Sequence, residues 1–169
     1  MKAWGLILAS WGALAGCSFP GGQSRDFGRR PDWSLSAPDG KKVSAVDYDR
    51  KVVLLDFWAT WCIPCRQEVP GLIELQERYR DRGLAVVGFS FDRDPDVHDR
   101  WVRANRVNYP SLFARTQEGK AEVAKFETLI GPIDGYPTTL IIDREGRIVY
   151  KHVGYASMED FEAILKPLF

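Results

Sequence analysis

The chain has 169 residues, 45% of them apolar and 27% charged, which suits one globular domain with short appendages. Its 23 basic side chains are balanced by 23 acidic ones. No basic run or stripe marks a nucleic-acid surface, which argues against that class of partner.

The N-terminus differs from the rest. Met1-Lys2 is a short positive start, and Ala3 to Gly16 is uncharged and mostly apolar. That stretch is too short to span a bilayer comfortably and fits the apolar region of a secretory signal. Leu14-Ala15-Gly16-Cys17 resembles the bacterial lipobox, in which the cysteine receives lipid and becomes the first mature residue. Residues 1–16 are therefore expected to be a lipoprotein signal peptide and Cys17 the lipidation site. An ordinary signal peptide with a stray cysteine, or an uncleaved anchor, is the competing reading. Lipid on Cys17 would also leave the other two of the three cysteines as a clean pair. Residues 17–31, rich in Gly, Pro and Arg, read as a flexible tether from that cysteine.

The folded domain is expected over 32–169. Trp33 to Ser36 and Lys42 to Val46 alternate around Pro38-Asp39-Gly40, a hairpin signal. Val52 to Trp58 is a continuous apolar run of strand length, hence a central strand covered on both faces. Cys62 to about Arg80 has helical spacing, with Pro70 expected to kink it. Leu84 to Phe91 is a second buried strand, so the three segments form a βαβ unit with parallel strands. Pro95 to Asn105 reads as a helix capped by Asp94, and Glu118 to Phe126 as a short helix. Thr138 to Ile142 and Arg147 to Val153 flank Asp143-Arg144-Glu145-Gly146 as an antiparallel hairpin. Met158 to Leu168 closes the chain as an amphipathic helix capped by Ser157.

Chemistry concentrates at Trp61-Cys62-Ile63-Pro64-Cys65, directly after the first central strand. A disulfide closing so small a ring constrains little of the unfolded chain and is a poor staple. At a helix start, however, the dipole and free N–H groups favour thiolate over thiol. Cys62 is the expected nucleophile, exposed at the helix cap, and Cys65 the buried resolving thiol. Structural zinc would need four ligands, and His98 and His152 are isolated in the sequence, so no metal is expected. No cofactor beyond the redox-active Cys62–Cys65 pair is expected either. Pro64 stiffens the dithiol turn, and Ile63 tunes the surroundings of Cys62.

Asp56 interrupts the apolar strand, and burying a carboxylate without purpose costs several kcal/mol by order of magnitude. It is a candidate acid or base for Cys65; an edge-facing or backbone-bonded Asp56 is the alternative. Trp58 and Trp61 flank the dithiol as a possible apolar rim, or as plain core. Asp92, Asp94, His98 and His152 read as solvated faces and caps.

Three separated motifs carry a family resemblance. Asp56-Phe57-Trp58-Ala59-Thr60-Trp61-Cys62-Ile63-Pro64-Cys65 resembles the thioredoxin active-site segment. Gly135-Tyr136-Pro137-Thr138-Thr139 is similar to the family's cis-proline loop, and Cys65-Arg66-Gln67-Glu68-Val69-Pro70 resembles the TlpA/ResA-like branch of envelope proteins. The resemblance implies an α/β thioredoxin fold, a central mixed sheet flanked by helices, with an added N-terminal β-hairpin. It implies that Pro137 is cis and packs on the dithiol. It also implies that Trp61, Ile63, Pro64, Tyr136 and Thr138 contribute to the substrate surface, with the backbone of Tyr136 pairing with extended chain. Glu68 would belong to the active site as a proton acceptor; a plain solvated helix glutamate is the alternative. The stretch from Phe126 to Gly135 is longer than the family's usual connection and is expected to be an unusual loop.

The expected function is an envelope thiol–disulfide oxidoreductase, a reductant of disulfides in exported proteins such as cytochrome c maturation or copper-site cysteines. Its partners would be those protein thiols and disulfides, a membrane electron donor, and the membrane itself through Cys17. The domain would sit outside the cytoplasmic membrane. Two other readings compete. A thiol peroxidase of the redoxin type would place Thr and Pro three and seven residues before the reactive cysteine, where this chain has Ala59 and Leu55. A copper-binding assembly module would be supported by a histidine beside the cysteines in sequence, and none is there.

Overall fold

Short apolar runs alternating with amphipathic stretches produce, in order, β1 (Gly22–Ser24), β2 (Ser34–Ser36), β3 (Lys42–Ser44), β4 (Val52–Trp58), α1 (Ile63–Tyr79), β5 (Leu84–Ser90), α2 (Pro95–Ala104), β6 (Ser111–Phe113), α3 (Gln117–Ile130), β7 (Thr138–Ile142), β8 (Ile148–Val153) and α4 (Met158–Leu165). The computed structural model describes residues 22–37 and 40–169. The expected signal peptide, Cys17 and residues Pro38-Asp39 of the expected turn lie outside the described residues.

Six strands form one sheet in the order β1-β8-β7-β4-β5-β6. β4, β5 and β6 run parallel, as the βαβ connection requires, while β7 runs antiparallel to β4 and β8 antiparallel to β7. β2 and β3 form the expected separate hairpin. β4 sits inside the sheet with every side chain buried, which explains its unbroken apolar sequence.

The pleat sorts β4 into two faces. Val53, Leu55 and Phe57 pack toward α3 and the β2–β3 hairpin, against Phe126, Trp33 and Leu35. Phe57 meets Phe89 and Phe126 edge-on, with centroids 5.6 and 5.8 Å away. Val52 and Leu54 face the other way, against Leu72 and Leu75 of α1 and Phe161 and Leu165 of α4. By the same period of two, Asp56 and Trp58 point to the α1 side. The helix carrying the cysteines therefore covers the face that carries the buried acid.

Three readings are corrected or extended. The described part of the expected tether is not free coil. β1 adds to the sheet by antiparallel pairing with β8, Phe27 is buried, and Arg29 bridges Arg147. Gly22 makes that approach possible, since a Cβ there would lie 1.8 Å from the Tyr150 hydroxyl. Residues 22–31 thus belong to the folded part, ahead of its expected start at 32. Second, the expected loop from Phe126 to Gly135 is half helix. The buried series Val123, Phe126 and Ile130 carries α3 onward until Gly131, at φ +79, ends it. Third, β6 has only three residues after Pro110 and no legible alternation, so it goes unseen in the sequence. The helix read from Cys62 to about Arg80 is α1, which runs through Pro70 to Tyr79.

Candidate active site

Cys62 and Cys65 are joined in a disulfide, with Cα atoms 5.3 Å apart. Cys62 is the N-cap residue of α1, and its Sγ accepts the Cys65 N–H at 3.3 Å. Pro64 fills the first turn, where a missing N–H leaves nothing unpaired. The outer sulfur thus sits against free donors at the positive end of a helix of 17 residues, the setting that lowers a thiol's pKa. It is less open than expected. Cys62 is 6% exposed, because Trp61 (57%) and Ile63 (67%) stand out on either side of it while Trp58, Ala59 and Val69 pack with the pair.

Asp56 and Glu68 are both buried, so the solvated-glutamate alternative is overturned. Glu68 lies one turn after Cys65 on the same helix face. Its Oε2 accepts the Ala156 N–H at 2.9 Å and its Oε1 the Thr139 hydroxyl at 3.4 Å. Thr139 is the register partner of Asp56 across β4 and β7, which brings the two carboxyls to one place. Burial pushes the Asp56 carboxyl up to about 8, opposed by the neighbouring Thr139 side chain. Burial also raises Glu68 well above the usual carboxylate range, with the charge of Asp56 adding to it. Water cannot stabilise either anion here, and the two repel. Asp56 Oδ1 has no hydrogen-bond partner among the described residues. Tyr109 is buried nearby, and its hydroxyl is pushed upward by burial and by both carboxyls.

The Tyr136–Pro137 peptide is cis. Thr138 is buried, and its hydroxyl donates to the Gly135 carbonyl at 2.7 Å, tightening the loop. The Tyr136 ring meets Trp61 edge-on at 5.7 Å and Phe91 at 5.0 Å. Trp58, by contrast, is plain core. Its indole N–H donates to Ser111 Oγ at 3.1 Å, and Trp101 packs on it at 5.1 Å. Gly88 leaves room for that bond, since a Cβ there would come within 2.9 Å of the indole nitrogen.

The bland reading of three further residues is corrected. Asp92 is buried and clamps the turn before Cys62. It accepts the Thr60 N–H at 3.1 and 3.2 Å, the Thr60 hydroxyl at 2.6 Å and the Ser90 hydroxyl at 2.8 Å. His98 is fully buried between Ser111, 2.8 Å from its Nε2, and Asp99, 3.1 Å from its Nδ1. Burial holds its pKa below the ordinary value. His152 is buried against Tyr150 and Phe161. Asp94 is exposed and caps α2, as expected. The signal for Asp92 was present in the sequence: β4 and β5 are parallel, and ligand and catalytic groups gather beyond the carboxyl ends of such strands. Trp58 pairs with Ser90, so two residues further on Thr60 meets Asp92.

A helix-capping dithiol, a cis-proline loop beside it and a mixed sheet behind define a thioredoxin-fold thiol–disulfide oxidoreductase. Residues 28–151 match the AhpC/TSA family, and the chain belongs to it. It is 39% identical over 132 residues to the thioredoxin-like protein YneN of Bacillus subtilis, covering 78% of this chain and 74% of that one. It is 28% identical to the thiol-disulfide oxidoreductase ResA of Bacillus cereus, covering 82% of this chain and 75% of that one. Among solved structures, a thioredoxin-family thiol:disulfide interchange protein of Chlorobium tepidum superposes with a TM-score of 0.77 at 29% identity, covering 86% of this chain and 98% of that one. Among the described residues no helix is long and apolar enough to cross a membrane.

Proposed function

We propose that this oxidoreductase works outside the cytoplasmic membrane, held there by lipid on Cys17, and reduces disulfides of other exported proteins. Cytochrome c maturation and copper-site cysteines are the substrate types in view. The observation that carries the chemistry is the Cys62 sulfur at the α1 cap, with Cys65 bonded to it and two raised carboxyls on the same side of the sheet.

In the reduced protein, the Cys62 thiolate attacks one sulfur of a substrate disulfide. A Cys62–substrate bond forms, the substrate S–S bond breaks, and the leaving thiolate takes a proton. Cys65 must then lose its own proton to attack Cys62. A free thiol titrates near 8.5, so a carboxyl at about 8 is matched to accept that proton at little penalty. Asp56 is therefore the base for Cys65, with Glu68 sharing the proton through Thr139. Attack by Cys65 re-forms the Cys62–Cys65 bond and releases the second substrate thiol. The protein has lost two electrons and must regain them from a membrane dithiol donor. The Tyr136–Pro137 loop and the rim of Trp61 and Ile63 hold the extended substrate chain across Cys62.

The test is a Cys65→Ser variant expressed with its own N-terminus in a bacterial host. The variant halts at the mixed disulfide, so exported proteins bearing cysteine pairs are expected to remain bound until reductant is added. A folded variant that traps none of them would overturn the reading. Labelled palmitate entering the wild type but not Cys17→Ser tests the anchor.

A further inference from the structure

The surface around the dithiol departs from the charge balance of the whole chain. Two clefts flank Cys62. One, of about 540 Å³, is lined by Trp61, Phe91, Tyr136, Arg93 and Arg115. The other, of about 430 Å³, is lined by Ile63, Gln67, Trp101, Asn105 and Arg66. The chain as a whole carries equal numbers of acidic and basic side chains. These two clefts hold three arginines, and no acidic side chain lines either of them.

None of the three arginines is committed elsewhere. All are exposed, and among the described residues none makes a side-chain hydrogen bond or an ion pair. Most carboxyls near the first cleft are already engaged. Asp92 is buried under Thr60 and Ser90, Asp94 caps α2, and Glu127 accepts the Ile133 N–H at 2.9 Å. Asp134 is exposed near Tyr136 but does not line the cleft. An arginine fork beside an aromatic face is suited to a carboxylate whose apolar stem lies on the ring.

We infer that the segment bearing the target disulfide is acidic, with Asp or Glu on both sides of its cysteine, read by Arg93 and Arg115 in one cleft and by Arg66 in the other. This rests on the reductase reading and names the substrate class of that same site. The arginines steer and hold the incoming chain, while Cys62 supplies the chemistry. Exposed pairs are each weak, so the selectivity is a sum over three of them and is screened by salt.

The test uses the reduced protein and three synthetic peptides with the same disulfide loop, whose residues flanking the attacked cysteine are Glu, Gln or Lys. The rate of Cys62–Cys65 disulfide formation is followed for each. At low salt the Glu peptide is expected to react about tenfold faster than the Lys peptide, the ratio falling toward one in 0.5 M salt. Arg93→Gln with Arg115→Gln is expected to shrink that ratio about threefold, and the matching Lys pair to keep most of it. Equal rates for all three peptides would overturn the acidic preference and leave the oxidoreductase reading standing. Failure of all three, with insulin also unreduced, would overturn both. Tight binding of the wild type to anionic vesicles without any peptide preference would assign the arginines to a membrane surface and sink the inference.

Discussion

The two sides of the Cys62–Cys65 bond are built from opposite materials. Outward lie Trp61, Ile63, Arg66, Arg93 and Arg115, all exposed. Inward lie Asp56, Glu68, Thr139 and Tyr109, all buried. On the proposed function the outer groups meet the substrate chain, and water around them weakens each contact. The inner groups, on the same proposed function, handle one proton in a fixed place, where low dielectric magnifies every interaction. On that proposal, recognition is spread over many small terms and proton transfer is concentrated in a few large ones.

The sharpest way to break that contrast is Asp56→Asn. It keeps the shape and removes the group matched to Cys65, so release of reduced substrate should slow about a hundredfold while mixed-disulfide formation changes little. Stability should move the other way. Asp56 holds its proton up to about 8 in the folded state, whereas the unfolded carboxyl loses it near 3.8. Across that interval the folded state binds more protons than the unfolded one, so stability falls as pH rises. Below 6.5 the buried His98 opposes this trend, because only the unfolded histidine takes up a proton there. From pH 6.5 to 8 the carboxyls outweigh the fading histidine contribution, and wild-type stability should drop by about 2 kcal/mol. Asp56→Asn should flatten that slope and raise the melting temperature at pH 8, partly by relieving Glu68 of a neighbouring charge. A steeper slope, or an unchanged release rate, would remove Asp56 from the proton path.

A smaller effect is expected from Asp92→Ala. The change leaves the Thr60 N–H and two hydroxyls without their buried acceptor, which costs about 2–3 kcal/mol in denaturant unfolding of the oxidised protein. Asp92→Asn should recover part of it, since one oxygen still reaches Thr60. Loss of less than about 0.5 kcal/mol would mean that the turn before Cys62 holds itself without the clamp.

The same division decided what could be read from the sequence. The dithiol, Pro137 and the strands around them announce themselves through local spacing. Asp56 did so as one carboxyl inside an apolar run. Glu68 was ambiguous because its burial depends on Thr139 and Ala156, which reach it from 71 and 88 residues away in the chain. Asp92, His98 and His152 look like surface residues beside charged or glycine-bearing neighbours, and only the sheet buries them. Residues 22–31 read as tether because apart from Phe27 they are polar, Gly or Pro, yet the open edge of β8 supplies partners that no local pattern shows. The arginines of the two clefts come from α1 and from two separate loops and have no shared motif.

The mildest test is on the rim, with Trp61→Ala. Trp61 is more than half exposed, and its edge-on contact with Tyr136 is its only ring partner among the described residues. Such a pair contributes about 0.5 kcal/mol when water reaches it, so unfolding of the oxidised protein should hardly change. Loss of the ring opens one side of Cys62 and removes the apolar wall of the larger cleft. Mixed-disulfide formation with an extended peptide should slow about threefold, while the subsequent attack by Cys65 keeps its rate and its pH profile. Stopped-flow fluorescence of the remaining tryptophans separates the two steps. If Trp61→Ala instead slowed the second step as Asp56→Asn is expected to, the outer and inner sides of the bond would be one unit, and the proposed division of labour would be wrong.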